Sequence, residues 1–391
     1  MSAIDEARIL HLFANYKWTG PADPAIRSVA RLRGLGLDAT FAQAGFVHRG
    51  GEHRVAEELW NRAVPVVAGL ELRKHFHVPS LLRDVRTLRA ILQRGRYAIV
   101  HCHLPADHLL AALACRAMPK PPLLVRTLYE PVAPARGWRE RFGFRRTAGA
   151  IAPTAAARDG LLGSFHLDPA RVLLQGPVTE PQSLDGPDLR ARWGLDASHR
   201  IVGITARVQP HRRFDLLWDI ARLVVSSLPN ARVVLLGRGN PTDTQNLVLD
   251  PVARLGLQQH VVLPGYQKGP DYAAALRSLD AFLFLVPGSD GTCRAVGDAL
   301  AFGLPVVATR RGILPALLAE RRAGETPGVT CAEQAAPMAD ALLQLLRDDG
   351  LRAARRAAAL RVARLDMDPK RAARALRAFY ERLLAAGGGR R

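Results

Sequence analysis

The chain has 391 residues, 48% hydrophobic and 23% charged, which is the composition of a soluble globular protein with room for two sizeable cores. No apolar run is long enough to span a bilayer, and the first residues lack the basic and apolar regions of a signal peptide, so a cytoplasmic protein is expected. The formal net charge of +20 admits nucleic acid, anionic lipid and phosphorylated substrates as ligand classes.

In chain order, Arg8-Ile-Leu-His-Leu-Phe13 has the unbroken apolar pattern of a buried strand, and Trp18-Thr-Gly20-Pro21 that of a turn. A helix over 24–33 stops at Gly34 and Gly36, before a strand near 37–41. Residues 58–70 add a short helix or strand, 81–93 an Arg-rich amphipathic helix, and Ala98-Ile-Val-His-Cys-His103 a buried strand. Helix is predicted over 109–118, strand over 122–127 and 148–153, helix to about 165, and strand over 171–174. Residues 175–199, with Gly176-Pro177 and Gly186-Pro187, read as a linker. The alternation then restarts, with strands over 201–205, 232–236, 260–263 and 281–287 and helices over 214–227, 247–255 and 272–279. A short helix stopped by Gly303 and Pro305 precedes a strand from Val306, and 338–386 is largely helical with breaks near Gly350 and at Met367-Asp-Pro369.

Strands and helices alternating at this pitch predict an α/β protein with two doubly wound, Rossmann-like parallel sheets covered on both faces. The expected domains are 1–178 and 199–366, with 367–391 a final helix. That helix carries Leu376, Phe379, Tyr380, Leu383 and Leu384 at i, i+3, i+4 spacing, so one face must be buried.

Chemistry concentrates after the strand at 281–287. Asp290 would stand at the start of the short helix, where free amides and the helix dipole favour an anion. Asp298 lies about two turns further on and can face the same side. Two carboxylates flanking phosphate-friendly amides suit a nucleotide-sugar. The four cysteines have no metal or redox spacing and read as reduced thiols. Only five of the 55 basic residues are Lys, so an Arg-rich composition accounts for much of the charge, and no nucleic-acid-binding signature is present.

Asp290-x7-Asp298 followed by Ala299-Leu-Ala-Phe-Gly303-Leu-Pro305-Val-Val-Ala308 resembles the signature of the retaining GT-B-fold glycosyltransferases, the glycosyl transferases group 1 family. Two further stretches are similar to it: Arg207-Val-Gln-Pro-His-Arg212, in place of the family's Arg-x4-Lys, and Gly237-x-Gly239-Asn-Pro241. The resemblance implies two domains facing across a cleft, with the C-terminal helix crossing back to the first domain. It implies transfer of a hexose from a UDP- or GDP-sugar to a hydroxyl acceptor, in envelope or exopolysaccharide synthesis, without a cofactor or a catalytic metal. Arg207 and Arg212 would hold the diphosphate, whose developing charge prepositioned cations stabilise. Asp298 would bind the ribose, and Asp290 with the amides of Gly291, Thr292 and Cys293 the sugar and distal phosphate. Gly237 and Gly239 would let backbone approach the nucleotide, and Gly20 the transferred sugar.

Both signature acids here are Asp where the family has Glu, and Gly291-Thr-Cys replaces its Gly-Phe-Gly. The His that many members carry after the fourth strand is replaced by Thr127-Leu-Tyr129-Glu130, which leaves Tyr129 and Glu130 as acceptor-side candidates beside His103. His101 and His103 alternate along a strand and point the same way. They are read as satisfied core or cleft histidines, because no third zinc ligand suggests itself. Residues 136–146, with Arg83, Arg86, Arg89, Arg94 and Arg96, form either a face for anionic membrane and a lipid-linked acceptor or a solvated surface with inward aromatics. The rival functions are an inactive nucleotide-sugar-binding or scaffolding relative, and a nucleotide-sugar epimerase or hydrolase of the same fold.

Overall fold

A computed structural model of the chain describes residues 3–47, 52–116, 118–285, 293–320 and 324–388. It divides into two compact units, one formed by 1–176 with 369–391 and the other by 177–368. Each is organised by one parallel sheet.

In the first unit the strands are β1 (Arg8–Phe13), β2 (Asp38–Gln43), β3 (Tyr97–Cys102), β4 (Leu123–Thr127), β5 (Thr147–Ala152) and β6 (Val172–Leu174), in the order β2-β1-β3-β4-β5-β6. A parallel sheet is buried on both faces, which is why β1 reads as a continuous apolar run. Ile9 and Phe13 pack on one side with Ile26, Val29, Phe379 and Tyr380, while Leu10 and Leu12 face Leu88, Leu92 and Leu110 on the other. The final helix, Pro369–Gly388, belongs to this unit. Its Leu376, Phe379, Tyr380 and Leu383 are all within the core, and each buried large side chain contributes roughly 1.5–3 kcal/mol.

In the second unit the strands are β7 (Arg200–Thr205), β8 (Ala231–Leu236), β9 (Val261–Gly265), β10 (Ala281–Phe284), β11 (Val306–Thr309) and β12 (Gly328–Cys331), in the order β12-β11-β10-β7-β8-β9. The helix Phe214–Ser227 buries Trp218, whose indole N–H donates to the Leu247 carbonyl at 2.7 Å. The stretch expected to be a linker is largely part of this unit. Leu184, Leu189 and Trp193 pack on its core, and the Leu189 amide donates to Ser278 Oγ at 2.6 Å. Its Gly and Pro content marked irregular backbone, which need not be free backbone.

One polar feature interrupts the first core. His11 on β1 is the register partner of His101 on β3, and His103 continues along the same face. The three rings stack with centroids 4.6–5.2 Å apart. His11 Nδ1 is hydrogen-bonded to His103 Nε2 (2.9 Å), and His103 Nδ1 to Tyr129 Oη (2.7 Å). His101 is bonded to Thr127 Oγ1 (2.6 Å) and, across to the final helix, to Tyr380 Oη (2.5 Å). Each neutral imidazole supplies one donor and one acceptor, which a chain of this kind requires. His11 Nε2 is the one ring nitrogen of the three without a partner.

Burial holds these imidazoles neutral. It lowers His11 to about 3 and takes His101, His103 and the separately buried His108 well below 6.5. The unfolded chain therefore binds protons below pH 6.5 that the folded chain refuses. Stability from each imidazole is present above 6.5 and falls by about 1.4 kcal/mol per pH unit below it. Asp107, raised by burial to about 7, and Glu140, also raised by burial, run the opposite way over part of this range. Four imidazoles against two carboxyls leave a net loss on acidification. Urea unfolding between pH 7.5 and 5 should show stability falling with pH, and His11→Leu should reduce that slope whatever it does to stability at pH 7.5. A pH-independent stability, or an unchanged slope in His11→Leu, would contradict a neutral buried network.

Candidate functional site

Ligands of open α/β sheets bind outside the carboxyl ends of the strands, where neighbouring connections depart in opposite directions. In the second sheet that place lies between β7, whose chain proceeds to β8, and β10, whose chain proceeds to β11. Of the donor residues expected from the sequence, Arg207 and Arg212 follow β7, Cys293 and Asp298 follow β10, and Gly237 and Gly239 follow β8.

After β7 the chain runs through Ala206, exposed Arg207 and buried Val208 to the single turn Pro210–Arg212. The Val208 amide donates to the Arg238 carbonyl at 3.0 Å, which ties this segment to the end of β8. Arg207 has no ion pair or hydrogen bond among the described residues, and Arg212 is half-buried. Arg213, next in sequence, is committed elsewhere: it pairs with Asp215 (3.0 Å) and with Glu333 (3.1 Å), which also holds Arg311 (2.7 Å). The segment thus carries one cation without a partner among the described residues, Arg207, and just past the motif one already neutralised, Arg213.

The glycines at the end of β8 have a reason within the fold. A Cβ at Gly237 would lie 1.8 Å from the Ala206 carbonyl oxygen, and one at Gly239 would lie 2.7 Å from Val208 Cβ. The close approach they permit is that of the β7 segment, where the sequence reading had the nucleotide in view.

Beyond β10, Asp290, Gly291 and Thr292 lie outside the described residues. Cys293 is buried and takes up a left-handed conformation (φ 44°) ahead of the helix Arg294–Ala301. Asp298 sits on that helix with its side chain 25% exposed, 3.9 Å from Arg294. Its charge reaches Tyr272, whose hydroxyl is 3.3 Å from Thr205 Oγ1 at the end of β7; burial first, and Asp298 next, raise that phenol. Asp298 is therefore near the carboxyl end of β7, and the face it was expected to share with Asp290 lies outside the described residues. At Gly297 a Cβ would meet Met367 Cε at 3.0 Å and Thr179 Cβ at 3.5 Å, so helix packing accounts for that glycine.

The sequence reading missed Tyr266. It is 53% exposed just past β9, with the Arg238 guanidinium 5.0 Å and the Lys268 ammonium 5.6 Å from its ring centre. Its position directly after a strand was the available signal. Arg207, Arg238 and Lys268 place a positive edge along the ends of β7, β8 and β9, where an anion is favoured.

In the first unit, Gly20 is exposed in the turn before the helix Ala22–Gly34. Glu130 is exposed and accepts from the Tyr129 amide at 3.2 Å. His103, expected at an open position, is 1% exposed with both ring nitrogens bonded, and so belongs to the core network. The third histidine is His11, whose partnership depends on β1 lying beside β3 and has no local signal. The trio could be taken for a metal centre, since the candidate ligand atoms lie within 4.8 Å of one another. Their nitrogens are already engaged: both of His101 and of His103, and Nδ1 of His11, are hydrogen-bonded, so an ion would have to displace those bonds. Within 136–146 the aromatics divide: Trp138 is 66% exposed, whereas Phe144 is buried and Phe142 packs on the core. Among the described residues no helix is long and apolar enough to cross a membrane.

Both halves of the chain are similar to known proteins. Residues 199–348 match the model of the family described as glycosyl transferases group 1, and residues 27–174 match that of glycosyltransferase family 4. A D-inositol 3-phosphate glycosyltransferase of Mycobacteroides abscessus is 28% identical over 60% of this chain, a stretch that spans 56% of that relative. A phosphatidyl-myo-inositol mannosyltransferase of Mycobacterium leprae is 25% identical over 74% of each chain. The crystal structure of Anabaena Alr3699/HepE in complex with UDP superposes with a TM-score of 0.74 at 17% identity, covering 95% of this chain and 99% of that one. With two doubly wound sheets the chain has the fold of the GT-B glycosyltransferases, and each of its halves matches a glycosyltransferase family, glycosyl transferases group 1 over residues 199–348 and glycosyltransferase family 4 over residues 27–174.

Proposed function

We propose that the protein transfers a hexose, with retention at the anomeric carbon, from a UDP- or GDP-sugar to a hydroxyl acceptor of the bacterial envelope. The observation that carries this reading is the placement of open Arg207 and half-buried Arg212 on one side of the second crossover and Asp298 on the other. In the reaction the bond from the sugar C1 to the diphosphate breaks and a bond from C1 to the acceptor oxygen forms. The hydroxyl proton passes to the released nucleoside diphosphate. Charge grows on the leaving diphosphate, and the guanidiniums of Arg207 and Arg212 meet it with multiple N–H donors. Asp298 accepts from the ribose hydroxyls. Asp290 and the Gly291–Cys293 amides, by the family resemblance, hold the sugar.

A nucleotide-sugar donor is supported by the crystal structures of the Anabaena neighbour in complex with UDP and with UDP-glucose. An envelope acceptor is supported by the relatives named as phosphatidyl-myo-inositol mannosyltransferase and lipopolysaccharide core biosynthesis mannosyltransferase. The exposed Trp138 and the cations of the first unit suit a peripheral position on the cytoplasmic face of an anionic membrane.

Arg207→Ala and Arg212→Ala should each lower the rate of nucleoside diphosphate release from the cognate donor by about 10- to 100-fold, the loss of one charge-assisted contact to the diphosphate. Circular dichroism should remain unchanged. Donor turnover that survives both substitutions would overturn the assignment. Release that proceeds at full rate without any acceptor would point instead to a hydrolase of this fold.

A further inference from the structure

Arg213 holds a backbone conformation that side chains disfavour. It is left-handed (φ 55°, ψ 43°) at the junction between the turn Pro210–Arg212 and the helix Phe214–Ser227. For a residue with a Cβ this region is costly, and it persists only where other contacts hold it. We infer that Glu333 is the group that holds Arg213 there, and that it thereby acts as a positioning residue for the donor cations Arg207 and Arg212. The inference rests on the donor site proposed above and adds to it a residue that touches no substrate.

The contacts of Arg213 single out Glu333. Its guanidinium Nε and Nη2 donate to Asp215 at 3.0–3.2 Å, and Nη1 lies 3.1 Å from Glu333 Oε1. Asp215 is in the first turn of the helix that Arg213 caps and moves with it, so it cannot fix the turn against the rest of the unit. Glu333 can. It follows β12, which β10 and β11 separate from β7 in the sheet. It comes within reach because the helix Ala335–Arg347, beginning just after it, packs beside Phe214–Ser227. Its other oxygen, Oε2, accepts from Arg311 Nε and Nη2 at 3.2 and 2.7 Å, and Arg311 leaves β11. One carboxylate therefore ties together the loops after β7, β11 and β12.

The segment is anchored before the turn as well. The Val208 amide donates to the Arg238 carbonyl, and the Arg212 amide to the Gln209 carbonyl, both at 3.0 Å. Arg207 and Arg212 thus sit on a short stretch fixed at both ends. Cations set in place before the diphosphate arrives need no reorganisation when charge develops on it. Glu333 takes up Arg213 and Arg311 and not Arg207, so it orders the site without neutralising the open cation.

Glycine is the probe, because it takes the left-handed conformation unaided. Binding of UDP and GDP, and of UMP and GMP, is measured by calorimetry for the wild type, Glu333→Ala, Arg213→Ala, Arg213→Gly and Arg213→Gly/Glu333→Ala. Glu333→Ala and Arg213→Ala should each weaken the diphosphates about tenfold and the monophosphates by less than about threefold. Arg213→Gly should stay within about threefold of the wild type, and Glu333→Ala should cost nothing further in that background. Arg213→Gly as weak as Arg213→Ala would show that the charge matters and the backbone does not, and would overturn the inference. So would a full Glu333→Ala loss in the glycine background, or equal losses for mono- and diphosphates, the mark of a loosened fold. The two Arg213 variants keep Glu333, so their comparison decides even if Glu333→Ala does not fold. Arg207→Ala separates this claim from the donor reading. If it leaves diphosphate binding unchanged, the donor site itself fails; if it weakens binding while Glu333→Ala does not, only the positioning role fails.

Discussion

A parallel sheet covered on both faces has no open surface except at the ends of its strands. Every interior position of β1, β3, β7 and β10 is taken up by packing, and the loops at the carboxyl ends are the places where backbone and polar side chains meet solvent. Where two neighbouring strands send their chains in opposite directions, those loops part and leave room. Both sheets of this protein have such a point. The proposed donor site is built on the one in the second sheet.

Net charge says less than its size suggests. Many of the arginines work as staples inside a unit. Arg200 donates to the Leu346 carbonyl, Arg355 to that of Thr326 and Arg171 to that of Ala148, while Arg190 pairs with Asp280 and Arg377 with Asp5. Surface pairs of this sort contribute little individually, and they also remove cations from ligand binding. A more informative cation is Arg207 beside β7, exposed at the end of a strand and without a partner among the described residues. Arg213 and Arg207 are only six residues apart, yet Glu333 and Asp215 have claimed the former.

Local pattern was enough to read the alternation of strands and helices, the i, i+3, i+4 face of the final helix, and the two segments that carry Arg207 and Asp298. It failed where a residue's role depends on strand order. His11 looked like one more residue in an apolar strand, because its register with His101 is set by a partner 90 residues away. His103 looked open for the same reason. The helix Pro105–Cys115 starts four residues before the predicted 109, since Pro-Ala-Asp-His is a polar opening whose Asp107 caps the Leu104 amide and is fully buried. Gly and Pro between 175 and 199 marked irregular chain correctly and its packing incorrectly. Glycines were legible as close approaches, but the approaching group at 237 is backbone of the same unit.

The central claim is that a nucleotide-sugar occupies the carboxyl ends of β7, β8 and β10. Hydrogen–deuterium exchange with and without UDP- and GDP-sugars tests it most directly. Bound donor should slow exchange in peptides covering 205–213, 237–240 and 294–298, and leave the strand ends of the first unit at their free rates. Exchange unchanged in those three segments with every donor, or protection confined to the first unit, would contradict the account.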